Sequence, residues 1–397
     1  MDLPIGARVR HYRGTRQQAV VAGLAGVSAE YYSQIERGLR IPTIAVLHRI
    51  AQELGVPVAA LLAEGAAAAT TAPDTAAPSI AQALMGYGPP RSTEPAEPGV
   101  LRERVEAAWR SWQSSPTRFS DAADILPDLI ADTEHAVRAR RAGEDGGPRR
   151  ETLRVSADLY FLLRSYLRRA GRTDLSMMAA DRAMRAAEDA DDPLRIAAAQ
   201  WNLGHVLLAA ADPDAAEHVA MLGVDQLKPR VKAGDEDCAA MAGALQLVSV
   251  IASSRRKEWW IARDRLQKVA APAAKRAGEG NIMWTVFGPT NVALHAVSIE
   301  MEAGEAGEAL HDADQIDTSQ LPSLERTFTF LLEVARCHDL RREDPAVLLH
   351  LLQAETLAPE DLARAQPARD MVVGLMRRAR AMQARQAEQL AGRMGML

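Results

Sequence analysis

An all-α protein in two parts is what the 397-residue sequence predicts, and three observations carry that expectation. Hydrophobic residues make up 48% of the chain but aromatics only 4%, so the core must be built mainly from Ala, Leu and Val, which suits closely packed helices. Aromatic or β-branched runs with the two-residue alternation of strands are scarce. Apolar residues recur instead at three- and four-residue spacing, first in a short amino-terminal cluster and then in long segments of near-constant period.

The amino-terminal cluster reads as five short helices. Residues 3–13 form the first, with Ile5 and Val9 facing inward beside Tyr12. Residues 17–24 form the second, and Ala25-Gly26-Val27 turn the chain because Gly26 can take a positive φ. Ser28 caps the third helix by offering its hydroxyl to a first-turn amide. On that helix Tyr32, Ile35 and Leu39 share one face, while Ala29, Glu30, Ser33, Gln34 and Arg37 share the other. An apolar inner face and an outer face of short and amide-bearing side chains suit a helix that enters the major groove of DNA. Pro42 and Thr43 start the fourth helix, with Leu47, Ile50, Ala51 and Leu54 inward and Gly55 at its end. Val56-Pro57 leads into the fifth, closed by Leu61 and Leu62.

The order of these pieces in LAGVSAEYYSQIERGLRIPTIAVLHRIAQELGVPVAAL resembles the lambda-repressor-like helix-turn-helix of the xenobiotic-response-element (XRE) family, over residues 5–62. One departure is a loop of Gly14-Thr15-Arg16 about two residues shorter than the family usually has. On the residues themselves, Gln34 offers a bidentate amide to a base edge, with Ala29, Glu30 and Ser33 beside it. Arg37, Arg40 and Thr43 follow the helix, where phosphate contacts fix register, and Ser28 opens it. The resemblance implies that Gln18 touches backbone near a base. Residues 1–64 hold seven arginines against five carboxylates, a surplus of two on a chain whose net charge is −5. A basic head on an acidic body suits one end meeting phosphate.

Residues 65–99 are dominated by Ala, Thr, Pro and Gly and are expected to be a linker, interrupted by a short docked helix over 79–85. Residues 100–397 then read as helices in pairs. After 100–113 and 119–141, long helices start near Thr152, Pro193, Glu236, Ile282 and Ser323, at intervals of 41, 43, 46 and 41 residues. Each has a partner, over 174–190, 213–228, 258–277, 305–316 and 345–357, and a tail helix spans 369–394. Helical hairpins of near-constant period predict a tetratricopeptide-like solenoid, longer in period than the 34 residues of that repeat. The segments MWTVFGPTNVALHAVSIEMEAGEAGEAL and LPSLERTFTFLLEVARCHDLRRED resemble the carboxy-terminal region of a group of actinobacterial XRE-family regulators. A looser similarity is to peptide-pheromone receptors of other Gram-positive bacteria, which implies a groove that binds short peptides.

In such an array the first helix of each hairpin lines the binding face. Polar residues within those apolar helices are therefore candidates for an effector site: Arg164, Asn202, His205, Gln246, Asn291 and His295, with Trp201, Trp284 and Phe287 as flat walls. Gly288-Pro289 is expected to kink one long helix, with Trp284, Phe287 and Asn291 on one side of it. The bland alternative is that these residues are core. The sequence lacks a phosphate-cradling glycine loop, an H-E-x-x-H pair, a G-x-S-x-G elbow and clustered metal ligands, so neither an enzyme nor a cofactor or metal is expected. Cys238 and Cys337 are too few for a disulfide framework and point to a reducing, cytoplasmic setting, and no apolar run reads as a membrane span. The expected function is a dimeric, DNA-binding transcription regulator whose repeat domain senses a peptide or small molecule. The alternative is a repeat domain that serves as a protein-interaction scaffold.

Overall fold

The computed structural model describes residues 5–14, 16–54, 56, 58, 61, 77–86, 94–140, 146–319 and 321–396, and every described element is helical. The chain divides into two compact units, Met1–Thr70 and Thr71–Leu397.

The first unit contains α1 (Ile5–Arg13), α2 (Gln18–Leu24), α3 (Ala29–Glu36) and α4 (Ile44–Leu54). Its core is Val9, Val21, Tyr32, Ile35, Leu47, Ile50 and Leu61, close to the inward set read from spacing. Two expectations fail. Tyr12 is exposed, and Leu39 is 66% exposed because α3 ends at Glu36, three residues too early for Leu39 to share its face. Val58 and Leu61 are helical, while the rest of the expected fifth helix lies outside the described residues.

The second unit begins with α5 (Ala77–Leu84), the docked helix within the Pro- and Ala-rich stretch. Its Ile80 and Leu84 are sealed into the main core. Then come α6 (Pro98–Ser114), α7 (Arg118–Ala139), α8 (Gly146–Arg169), α9 (Thr173–Asp189), α10 (Pro193–Ala209), α11 (Pro213–Lys232) and α12 (Glu236–Arg255). The helix after α12 is broken into α13 (Trp259–Arg265), a π-helical turn (Leu266–Ala270) and α14 (Ala271–Ala277). The last group is α15 (Pro289–Ala303), α16 (Ala306–Ala313), α17 (Leu324–Leu340), α18 (Asp344–Leu357), α19 (Pro359–Arg364), α20 (Gln366–Arg378) and α21 (Ala381–Arg393). The single tail helix expected over 369–394 is thus two helices, parted where Ala379 turns extended.

The hairpins repeat in their corners as well as their lengths. Asp192, Asp212 and Asp235 cap α10, α11 and α12, each accepting a first-turn N–H at 2.9–3.1 Å. The residue before each cap lies in the left-handed region: Asp191 (φ 53), Ala211 (φ 60) and Gly234 (φ 88). The cap's own N–H then reaches back to the preceding helix, Asp192 to the Ala187 carbonyl at 3.2 Å and Asp212 to the Leu207 carbonyl at 2.9 Å. The same reach-back bond joins Arg172 to Leu167, Asp235 to Arg230, Glu258 to Ser253, Glu305 to Glu300 and Glu343 to His338. The α12 helix is long and apolar enough to cross a membrane by length and composition, against the sequence reading, but 67% of its most apolar window is buried inside the unit.

One clamp ties the front of this unit to its rear. Arg118, at the start of α7, is fully buried and pairs with Asp361 of α19 through Nε at 2.9 Å and through Nη2. Its Nη1 reaches Glu325 of α17 at 3.2 Å, and its guanidinium lies 4.3 Å from the centre of the Trp112 ring. Glu360 completes the clamp by accepting the Phe119 N–H at 2.7 Å and the Ser120 N–H at 3.2 Å, both on the first turn of α7.

Candidate functional site

In the first unit, α2, a corner and α3 present a polar face. The corner closes through the Val27 N–H on the Ala22 carbonyl at 2.9 Å, with Gly26 at φ 67. Ser28 is extended and its Oγ accepts the Tyr31 N–H at 3.2 Å, so its hydroxyl serves as the helix cap. Ala29 and Glu30 are exposed, Ser33 and Gln34 are half-buried, and no hydrogen bond engages the Gln34 amide among the described residues. Arg37 and Arg40 are exposed beyond the helix, with Arg37 Nε donating to the Ser33 carbonyl at 3.4 Å. Thr43 starts α4 by accepting the Val46 N–H at 3.4 Å.

Gln18, expected to touch the DNA backbone, is engaged within the unit. Its amide donates at 2.5 Å to Glu36, a buried carboxylate that also receives Arg13 at 2.6 and 3.1 Å. Gln18 therefore stitches α2 to α3. Burial, aided by the Glu36 carboxylate beside it, pushes the Tyr32 hydroxyl up to about 12.

The second unit encloses a cavity of about 340 Å³, within the range of small-molecule sites. Its walls come from α6, α8, α10, α12, α15 and α17, the first helices of six successive hairpins, and from residues 284–286. Five of the nine expected effector residues line it: Arg164, Trp201, His205, Trp284 and His295. His205 meets the Trp201 ring edge-on at 4.3 Å, and burial holds both histidines well below their ordinary value, hence neutral.

The other four are placed elsewhere. Asn202 stands behind the wall, accepting from Arg164 Nε at 2.7 Å and donating to the Ala198 carbonyl at 2.8 Å, which aims the guanidinium. Gln246 is half-buried and is not part of the wall, because α12 turns its Val250 and Ser254 side to the cavity. Phe287 and Asn291 border a separate recess of about 10 Å³, the space of one water. Phe287 packs so closely on Gly243 that a methyl there would sit 2.3 Å from its ring.

The expected kinked helix is not a helix before Pro289. Residues 282–284 make one 3-10 turn, Gly288 is extended at φ 178, and Pro289 occupies the first helical turn, where its missing N–H costs nothing. Met283 (φ 44), Trp284 (φ 59) and Val286 (φ 55) all adopt left-handed backbone, a concentration of strain that its surroundings must hold. Asn281 does so by donating to Gln113 Oε1 at 2.7 Å and accepting the Val286 N–H at 3.2 Å. Trp284 is laid flat on Trp109, 4.6 Å apart and 4° from parallel. Glu279 accepts the Thr290 N–H and hydroxyl at 2.8 Å each, capping α15 in place of Gly288.

Sequence reasoning missed the arginines. Arg168, Arg169, Arg255 and Arg326 join Arg164 on the cavity wall. Arg169 pairs with Glu325, and Arg255 with Glu302 at 3.2 Å. Arg164 has Asn202 alone, while Arg168 and Arg326 have no carboxylate within ion-pair distance among the described residues. Burial pushes Arg168 down to about 10 and lowers Arg164 and Arg326 too, with further pressure on Arg164 and Arg168 from neighbouring guanidiniums. The remaining wall carboxylate, Glu333, accepts the Ser298 hydroxyl at 2.5 Å, and burial pushes it up to about 7.

Comparison with known proteins bears on the first unit. Residues 4–64 match the family model described as a helix-turn-helix domain. Over 50 residues the chain is 46% identical to an uncharacterized HTH-type transcriptional regulator, y4dJ, of Sinorhizobium fredii (strain NBRC 101917 / NGR234). That match spans 13% of this chain and 64% of the relative. Among solved structures, Bacillus thuringiensis PlcR in complex with the peptide PapR7 and DNA aligns over 89% of this chain and 98% of its own at 10% identity and a TM-score of 0.30. Residues 4–64 thus form a helix-turn-helix domain, joined to a body of helical hairpins around one arginine-rich cavity.

Proposed function

We propose that the chain is a transcription regulator that binds a double-stranded DNA operator through α3 and senses an effector through the cavity of its second unit. The helix-turn-helix match over residues 4–64 carries the DNA half of this reading, and the outward face of α3 supports it. Gln34 supplies an amide, unengaged among the described residues, for a base edge, Ala29, Glu30 and Ser33 tune the choice, and Arg37, Arg40 and Thr43 meet phosphates. A lone domain of this size gives too little contact for operator affinity, so the chain acts as a pair on half-sites about 34 Å apart. The cavity supports sensing over scaffolding, since six helices from successive hairpins line it and a shift of any of them would change its shape.

Selecting fragments of genomic DNA on the full chain, and measuring their affinity by fluorescence anisotropy with and without cell extract, tests both halves. The expected result is a recurrent, two-fold symmetric site whose affinity shifts with extract. Equal affinity for selected and random DNA defeats the operator half. A selected site indifferent to extract and to every ligand of the cavity returns the body to a scaffold.

A further inference from the structure

The cavity wall is out of electrical balance. Five arginines face it, and three carboxylates oppose them. Glu325 is consumed by Arg118 and Arg169, and Glu302 by Arg255 and the Ser254 hydroxyl at 3.0 Å. Glu333 makes no ion pair among the described residues; it lies near enough to Arg326 for their charges to act on each other, but burial favours its neutral form. Arg164, Arg168 and Arg326 therefore bring three positive charges into a recessed space, and among the described residues the Asn202 amide meets Arg164 while Arg168 Nε is buried without a partner. Guanidiniums stay protonated in proteins, so relief has to come from an opposite charge. Chains that bury cations pair them internally, as this one does with Arg118 on Asp361 and Arg195 on Asp158. Leaving three without an ion pair among the described residues, around an opening, is the arrangement of a site that awaits its counter-charge.

The rest of the wall says what accompanies that charge. Trp201 lies 5.3 Å from the Arg164 guanidinium, and Trp284 is stacked on Trp109 at the other end, held by the strained 281–286 segment. Both present flat apolar surface. His205 and His295 are neutral and add no charge of their own. A volume of about 340 Å³ is at the small end for ligand sites, enough for one compact molecule and short of an extended peptide.

We propose that this cavity binds a small organic anion with a flat, apolar body, its carboxylate or phosphate held by Arg164, Arg168 and Arg326 and its body laid against the tryptophans. This rests on the sensing half of the proposed function and narrows its effector to one chemistry. Asn202 is a positioning residue that acts through Arg164, and Arg326 carries the signal to α17, where Glu325 joins the clamp on α7 and α19.

The test uses the full chain and three probes of one shape: 2-naphthoate, 2-naphthyl phosphate and the uncharged 2-naphthamide. Binding is followed by calorimetry and by tryptophan fluorescence. The two anions are expected to bind at one site per chain, each at least about tenfold tighter than the amide, as charge-assisted bidentate contacts would give. Whichever anion binds tighter identifies the carboxylate or the phosphate as the natural head group. Arg168→Gln and Arg326→Gln are each expected to erase most of that advantage, bringing the affinity of the anions close to that of the amide. Equal affinity for anions and amide overturns the proposal, as does failure of both anions to bind at millimolar concentration. The wild-type comparison stands even where a variant does not fold. Repeating the titration with operator DNA separates the two claims. Anion binding that leaves DNA affinity unchanged removes the sensing role and keeps the site, whereas an extract response without anion binding does the reverse.

Discussion

Replacing Arg118 with Met keeps the apolar stem and removes the charge that joins α7 to α19. Asp361 would then lie buried, 4% exposed, with its main partner gone. Breaking one side of a buried ion pair costs about 3–5 kcal/mol, and the desolvated contact with Trp112 at 4.3 Å adds about 1 kcal/mol. An unfolding entropy near 2.1 cal/mol/K per residue, over roughly 300 residues, gives about 0.6 kcal/mol/K. The body's Tm should therefore fall by about 6–10 °C, read by helical circular dichroism. Arg118→Met with Asp361→Leu removes both charges at once, so the double variant should be more stable than Arg118→Met alone. A fall below about 2 °C, or a double variant less stable than the single one, would show that the pair does not clamp these helices.

Further outcomes follow from the same geometry. Gly243→Ala places a methyl 2.3 Å from the Phe287 ring and should cost about 1–3 kcal/mol by overpacking, with Phe287→Leu restoring part of it in the same chain; chemical denaturation measures both. Gln34→Ala should cost about 1–3 kcal/mol on the selected operator and little on random DNA, while Arg40→Ala should weaken both and lower the salt slope by about one. Glu333 has a folded-state value near 7, above its ordinary 4.5, so the folded chain holds that proton longer than the unfolded one. Its contribution to stability therefore falls as pH rises from about 5 to 7, and Glu333→Gln should lose that portion of the slope when melting curves of the two proteins are subtracted.

The amino-terminal unit was legible because its signals are local: Gly26, the Ser28 cap and the spacing of Tyr32 and Ile35 act within a dozen residues. Leu39 was misplaced because spacing cannot show where a helix stops, and here the corner at Gly38 intervenes. The hairpin period was legible for the same reason as the caps. The segment before Pro289 was not, since MWTVF has an apolar pattern that suits a helix, and contacts with Gln113 and Trp109, distant in sequence, help hold its left-handed backbone. The arginines were least legible. Arg168 and Arg169 end a helix, where basic residues ordinarily answer the dipole, and Arg326 joins them from more than 150 positions away.

The reach-back corners have a kinetic consequence. Each is closed by a bond spanning five positions, and those at Asp192, Asp212 and Asp235 add a cap spanning three, so a hairpin can set its own geometry without waiting for distant chain. Contacts of such short range carry a low loop-closure cost and favour rapid formation. The hairpins can therefore assemble one after another as the chain leaves the ribosome, each docking on a neighbour already in place. The clamp from Arg118 to Asp361 spans 243 positions and can form only after the intervening hairpins and Asp361 itself have been made. Local steps thus build the array quickly, and a single late event closes it.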